Sequence, residues 1–261
     1  MKRIITVQPL LTIAAAVFLL LASCKKNNTD SSGNSAGGGP GNGGGGGTTV
    51  TYKNHIAFIY KKDSADGVAF KTLLQANNCG VTLFDSAQVV LGDFTKFDLI
   101  VIGTNSGRSA SEFTYQMTGS VKAANKPLLM MGEGGGHFGE AIGATVSWAS
   151  TANFSSTIMT VLDSTLSLFK MPKQIPVPGT MQLTVYNPGA GGQAFYKSPY
   201  ISYPTVQTLI QAQTNNVQYF SVTYESGKYG YFGYYDNVNA MTPTGKDFMV
   251  NLCYYIGKLS Q

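Results

Sequence analysis

Chemically versatile residues are scarce in this sequence. It has three cysteines and two histidines in 261 residues. No Cys-x-x-Cys, no histidine pair and no spacing of metal ligands occurs, so no metal is indicated. No cofactor motif is present either. Basic clusters are missing: beyond the first residues, the only adjacent pairs are Lys25-Lys26 and Lys61-Lys62. Of the 18 basic residues, Lys2 and Arg3 belong to a leader described below. That leaves 16 against 13 acidic ones, a net charge near +3. Such a balance does not imply nucleic acid or another polyanion as partner. No internal repeat is visible.

What is there begins with an address. Lys2 and Arg3 precede an apolar stretch, Ile4 to Leu21, interrupted by Thr6, Gln8, Pro9 and Thr12; small Ala22 and Ser23 then precede Cys24. This is the layout of a secretory signal. Residues 4–23 could also span a bilayer, but Gln8-Pro9 breaks the run. The tetrad Leu21-Ala22-Ser23-Cys24 resembles the bacterial lipobox. The resemblance implies that Cys24 is lipidated, with a diacylglycerol and an N-acyl group such as palmitate. More than one acyl chain gives stable anchoring. Residues 25–50 are almost wholly Lys, Asn, Ser, Thr and Gly, with an unbroken run from Gly43 to Gly47. Such a segment has too little apolar surface to offset its ordering entropy. As a Gly-rich coil of about 26 residues it would reach roughly 25–30 Å. A long Gly/Asn tether after Cys-Lys-Lys is similar to lipoproteins of the Bacteroidetes type. Lys25-Lys26-Asn27-Asn28 occupies the place of their acidic export signal, so an outer membrane is expected and the leaflet stays open. The chain therefore divides into a signal (1–23), a lipidated Cys24 with its tether (24–50) and a folded domain (51–261). Export makes a disulfide between Cys79 and Cys253 available, but Cys253 lies in the apolar pattern of the last helix, Cys79 closes the first helix, and both read as small buried hydrophobes.

The folded region opens with an alternation of strand and helix. His55 to Tyr60 is a buried strand. Asp63-Ser64 offers an N-cap, and Ala65, Val68, Ala69, Thr72, Leu73 and Ala76 then recur at helical spacing up to Asn77-Asn78-Cys79-Gly80. Val81 to Phe84 and Phe97 to Gly103 are strands. Ser109 or Ser111 caps a helix with Phe113, Met117, Val121 and Ala124 on one face. Pro127 to Met131 is a fourth strand, ending in the Gly-rich turn Gly132 to His137. This order predicts a parallel sheet covered on both faces. Sites in such sheets lie outside the carboxyl ends of the strands, which puts Thr104, Asn105, Ser106 and Gly132 to His137 on one rim. From Thr151 the signals are short strands, prolines and turns. Val217 to Tyr224 and Tyr229 to Tyr235 read as a hairpin. Thr242-Pro243 starts a last helix, with Gly245, Phe248, Met249, Leu252, Tyr255 and Ile256 on its apolar face and Gly257 at its end.

The strand ending in Gly132-Glu133-Gly134-Gly135-Gly136-His137 resembles the elbow of class I glutamine amidotransferase-like domains, including the ThuA-like group. The hairpin Glu225 to Asp236 and the helix Thr242 to Ile256 resemble their closing elements. The likeness spans roughly residues 55–257. It implies an α/β, flavodoxin-like three-layer sandwich with a mostly parallel sheet and antiparallel strands in the C-terminal half. Family members carry Gly-x-Cys-x-Gly at the elbow, with the cysteine as nucleophile, and a catalytic histidine after the hairpin. Here Glu133 stands at the Cys position. No histidine follows His137, and His55 opens the first strand. A thiolate needs an adjacent base, so amidotransferase chemistry is not expected. A Ser elbow is absent as well.

The remaining candidates each have two readings. Glu133 either faces a pocket from a strained turn or caps the following helix. His137 either assists Glu133 in acid–base work or is simply hydrogen-bonded or solvated. Gly134 and Gly135 could cradle an anion with backbone N–H groups, without the Lys-Ser/Thr of a P-loop. Asp236 reaches the same rim or merely turns the chain. Tyr196, Tyr200, Tyr203, Tyr231, Tyr234 and Tyr235 could stack on sugars or be ordinary strand aromatics. Asn105, Ser106, Gly134, Gly135 and Tyr235 are thus the candidate ligand rim, and Glu133, His137 and Asp236 the candidate catalytic groups. The favoured expectation is an envelope-anchored domain that binds or assembles. Its partners are the membrane through the lipid, and a glycan or an envelope protein. The alternative is a carbohydrate-processing hydrolase using the rim carboxylates.

Overall fold

A ten-stranded sheet organises the domain. Its parallel half is built from β1 (Asn54–Tyr60), β2 (Cys79–Asp85), β3 (Leu99–Ile102) and β4 (Leu128–Met131). The computed structural model describes residues 50–61, 64–144, 153–155, 157–190, 192–194, 196–197, 206–212, 219–234 and 236–261. All belong to one unit, Thr49–Gln261. Cys24 and Tyr235 lie outside the described residues, as do the signal and most of the tether. No helix among the described residues is long and apolar enough to cross a membrane.

The remaining strands are β5 (Asn153–Ser155), β6 (Ile158–Val161), β7 (Gln182–Thr184), β8 (Gly192–Ala194), β9 (Tyr196–Lys197), β10 (Val206–Ala212), β11 (Tyr219–Glu225) and β12 (Tyr229–Phe232). The order is β2-β1-β3-β4-β12-β11-β10-β6-β7, with β9 beside β11 and a separate β5–β8 pair. Strands β2, β1, β3, β4 and β12 run parallel; from β12 through β11, β10 and β6 to β7 each pair is antiparallel. The sequence explains the division. Leu99-Ile100-Val101-Ile102 and Leu128-Leu129-Met130-Met131 are continuous apolar runs buried on both faces, as parallel strands require. β6 and β7 instead alternate buried with less buried residues, as half-covered antiparallel strands do. The turn between β11 and β12 carries left-handed Ser226 and Gly227 (φ 53° and 64°).

Helices α1 (Ser64–Gln75) and α4 (Pro243–Gly257) cover one face of the sheet; α2 (Tyr115–Ala123) and α3 (Gly132–Ile142) cover the other. Phe70, Leu74, Phe248, Leu252 and Ile256 meet Ile56, Phe58, Leu99 and Phe232. Met117, Val121, Phe138 and Ile142 meet Ile59, Ile100, Met130 and Tyr231. The expected three-layer α/β sandwich is therefore present. The cap of α2 is not where the serines predict. Thr114 caps α2 by accepting from Met117 N at 3.2 Å, while Ser109 precedes and Ser111 lies within a short 3-10 turn, Ala110–Glu112. Thr242 caps α4, accepting from Gly245 N at 3.0 Å. That helix ends on left-handed Lys258, one residue past Gly257.

Both ends of the domain meet at the amino end of β1. Asn54 Nδ2 donates to Ser260 O at 2.7 Å, and Ser260 N donates back to Asn54 Oδ1 at 3.0 Å. Lys53 Nζ donates to Gln261 O beside them. The carboxyl rim lies at the opposite end of the strands.

Candidate functional site

The chain leaves β1 for β2 on one side and later enters β3 on the other. The switch point of the topology thus lies between β1 and β3, where open α/β sheets place their ligand crevice. Here that crevice is bridged. Asp66, in the first turn of α1, accepts from Asn105 Nδ2 at 2.5 Å and from Thr104 Oγ1 at 3.4 Å. Ser106 is 1% exposed, and its hydroxyl is spent on Gly103 O at 2.8 Å within its own loop. Lys61, just past β1, pairs with Glu112, whose other oxygen accepts from Arg108 N. The loop after β3 is fixed along its length. Of the two loop candidates, Asn105 is exposed but bonded to Asp66, and Ser106 is buried.

The Gly-rich segment differs from its sequence reading. It is not a turn before a helix but the helix itself, because α3 begins at Gly132. The elbow's left-handed residue is Gly132 (φ 53°), following extended Met131; Glu133 is one residue further on, already helical. Only glycine takes φ near +50° without side-chain strain. Gly134 and Gly135 are there for closeness. A Cβ on Gly134 would lie 2.6 Å from Ser106 Oγ and 2.7 Å from Thr104 O, and one on Gly135 would lie 2.5 Å from the Met130 carbonyl carbon. Gly134 N also donates to Thr104 O at 2.9 Å. An N–H already given to a carbonyl is not free for an anion. The two glycines seat α3 against β4 and the β3 loop.

Glu133 is half-buried in the first turn of α3, where its charge complements the helix dipole. No hydrogen bond joins its carboxylate to a described residue, so it does not cap the helix by that route. His137 is engaged down α3 and away from the rim: Nδ1 lies 3.0 Å from Glu140 Oε2, one turn further along the helix. Asp236 follows β12, and its carbonyl accepts from the Tyr186 hydroxyl at 3.1 Å. Asp236 shares with Asp66, Thr104 and Met131 a small, half-open cavity of about 10 Å³, room for roughly one water. Burial holds the Tyr186 hydroxyl well above its ordinary pKa, with Tyr234 and the carboxylates of Asp236 and Asp66 adding to it. Glu133 and His137 do not line this cavity.

Asp66 is the polar centre of the rim, and motif reading missed it. Its signal was positional: it opens the helix after the first strand, beside the switch point. Neither thiol is here. Cys79 starts β2 at the sheet's far end, 3.6 Å from the Tyr254 hydroxyl, and Cys253 is fully buried in α4. Both are free, and burial raises both thiols. Among the described residues no three His, Cys, Asp or Glu side chains are grouped to hold a metal ion. Of the six tyrosines considered for stacking, Tyr231 and Tyr234 are core residues, 1% and 0% exposed. Nothing is described for the side chains of the other four.

No protein-family model matches the chain, and no curated protein matches it. Solved structures do. A GMP synthase subunit, so assigned, from Thermoplasma acidophilum superimposes with TM-score 0.55 at 14% identity, over 80% of this chain and 96% of that one. PurLQS from Thermotoga maritima gives TM-score 0.53 at 12% identity, over 77% of this chain and 99% of that one. The fold is that of class I glutamine amidotransferase-like domains.

Proposed function

We propose that this chain is a lipoprotein, anchored to the cell envelope through Cys24 and displaying an amidotransferase-like domain that binds or assembles without cysteine chemistry. One observation carries the second half of this reading. The residue at the left-handed elbow, where a strained turn lifts a nucleophile above the sheet, is Gly132 and has no side chain. Three features add support. Both free thiols are buried away from the rim, His137 is engaged with Glu140, and the crevice is bridged by Asp66. A hydrolase using Glu133, His137 and Asp236 needs the three in one open pocket. Asp236 instead lines a small cavity with Asp66 that neither Glu133 nor His137 reaches.

The envelope half rests on the leader and the tetrad ending in Cys24, with the outer membrane as the proposed address. A glycan or an envelope protein is the proposed partner. The test is a paired assay on the purified mature chain. Ammonia release from glutamine should stay at background, and a screen of glycans and envelope extracts should return a saturable ligand. Glutamine turnover that survives repurification and disappears in Asp66→Asn or Glu133→Gln would overturn the binding reading.

A further inference from the structure

The apolar stripe of α1 does not face the sheet. Gly67, Phe70 and Leu74 do. Of the residues at helical spacing, only Ala69 is buried; Ala65, Val68, Thr72 and Ala76 are exposed and Leu73 is half-buried. Val68 is 52% exposed. Together they form one wall of an open groove of about 680 Å³, whose other wall is Val238, Asn239 and Lys246. That volume is in the range of small-molecule sites. The groove is also polarised. Helices α1 and α4 follow parallel strands, so both start at the carboxyl rim. Ser64, Asn239 and Lys246 therefore lie at the rim end, where both helix dipoles present their positive poles. Leu73 and Ala76 lie two to three turns down α1, roughly 14–18 Å away along the axis. Lys246 is the only charged lining residue among those described, and none of their carboxylates pairs with it.

We propose that this groove binds a long-chain carboxylate of the fatty-acid type. The carboxylate meets Lys246 beside Ser64 and Asn239, and the alkyl chain lies along Val68, Leu73 and Ala76. An apolar trough with one cation at one end, unpaired among the described residues, fits an amphiphilic anion better than a neutral or cationic amphiphile. It also accounts for an apolar stripe left open to solvent. The inference does not depend on whether the rim is catalytic.

The probe is dodecanoate, titrated below its micellar concentration into the full mature chain made soluble by Cys24→Ala, with binding read by calorimetry. Saturable one-to-one binding is expected. Lys246→Glu should weaken it about tenfold or more, the scale of a lost charge-assisted hydrogen bond; Lys246→Arg should retain it. Val68→Asp should abolish it. Both positions are partly or well exposed, so melting temperatures should stay near the parent's. Dodecanol and dodecyltrimethylammonium should bind at least about tenfold more weakly. Equal binding of the three amphiphiles, no binding of dodecanoate, or binding indifferent to Lys246→Glu and Val68→Asp would each refute the proposal. So would a parent chain that sediments as a dimer and becomes a monomer in Val68→Asp, since the groove would then be an interface between copies.

Discussion

Replacing Gly245 with alanine should unfold this domain at a markedly lower temperature. Gly245 is in the first turn of α4, and a Cβ there would lie 2.0 Å from Val185 O and 2.8 Å from its carbonyl carbon. Contacts under 3.0 Å are essentially never made by real Cβ atoms, so the helix must retreat by about 1 Å. It is not free to do so. Thr242 N donates to Val185 O at 3.0 Å, and Thr242 Oγ1 donates to Thr184 O at 2.9 Å. Overpacking of this kind costs about 1–3 kcal/mol, and weakening two hydrogen bonds adds about 1–2 kcal/mol. Alanine's better helix propensity returns about 1 kcal/mol. The net loss is about 1–4 kcal/mol, or roughly 2–16 °C in Tm for a domain of this size. Gly119, inside α2, is the control: a Cβ there meets nothing within 4 Å. Gly119→Ala should raise Tm by about 1–4 °C. Thermal unfolding followed by circular dichroism measures both. A Gly245→Ala chain that melts at or above the parent temperature, or two variants that shift the same way, would show the close approach of α4 to Val185 to be wrong.

Four further outcomes are expected. Cys24→Ala should move the protein from the membrane fraction to the soluble fraction; persistence in the pellet with a lipid-shifted mass would refute acylation at Cys24. A chain starting at Thr48 should melt within about 1 °C of the mature chain if the tether builds no core, and a drop of several degrees would show that it packs on the domain. Cys79 and Cys253 should be recovered as thiols under non-reducing mass spectrometry, and stability should fall at alkaline pH. Burial raises these thiols and the hydroxyls of Tyr186, Tyr224, Tyr254 and Tyr255. The folded chain thus holds protons that the unfolded chain releases above its values of 9.0 and 10.0, so this stability is present below about pH 8 and lost as pH climbs; a Tm that rises across that span contradicts the burial. Finally, Glu133→Cys should give no glutamine turnover, and its thiol should react slowly with iodoacetamide at roughly pH 6. Rapid reaction that vanishes in Glu133→Cys/His137→Ala would make His137 an activating base and the rim a degenerate catalytic centre.

The strands of the parallel half were legible because their burial is two-sided: runs such as Leu99 to Ile102 have no other way to be satisfied. The last helix was equally plain from Thr242-Pro243 and its apolar face. The start of α3 was not. Glycine reads as a turn because it is a poor helix former, yet Gly134 and Gly135 are helical so that two backbones can touch, and that partner is distant in sequence. The stripe on α1 misled for a related reason. Periodicity identifies an apolar face but not what it faces, and the sheet took Phe70 and Leu74 instead. Asp66 escaped notice because a carboxylate in a helix's first turn is common, and only the strand order makes this one central. Tyr231 and Tyr234 were ambiguous between surface and core until the sheet closed over them.

The stitching of Asn54 and Lys53 to Ser260 and Gln261 has a mechanical consequence. A pull arriving from residue 50 enters β1 along its own axis. That strand is an interior one, with seven register pairs to β2 and four to β3. Load directed this way shears both ladders at once instead of opening them one bond after another, and the Asn54–Ser260 pair shares it with the end of α4. A domain drawn by that end is therefore loaded along a stiff direction.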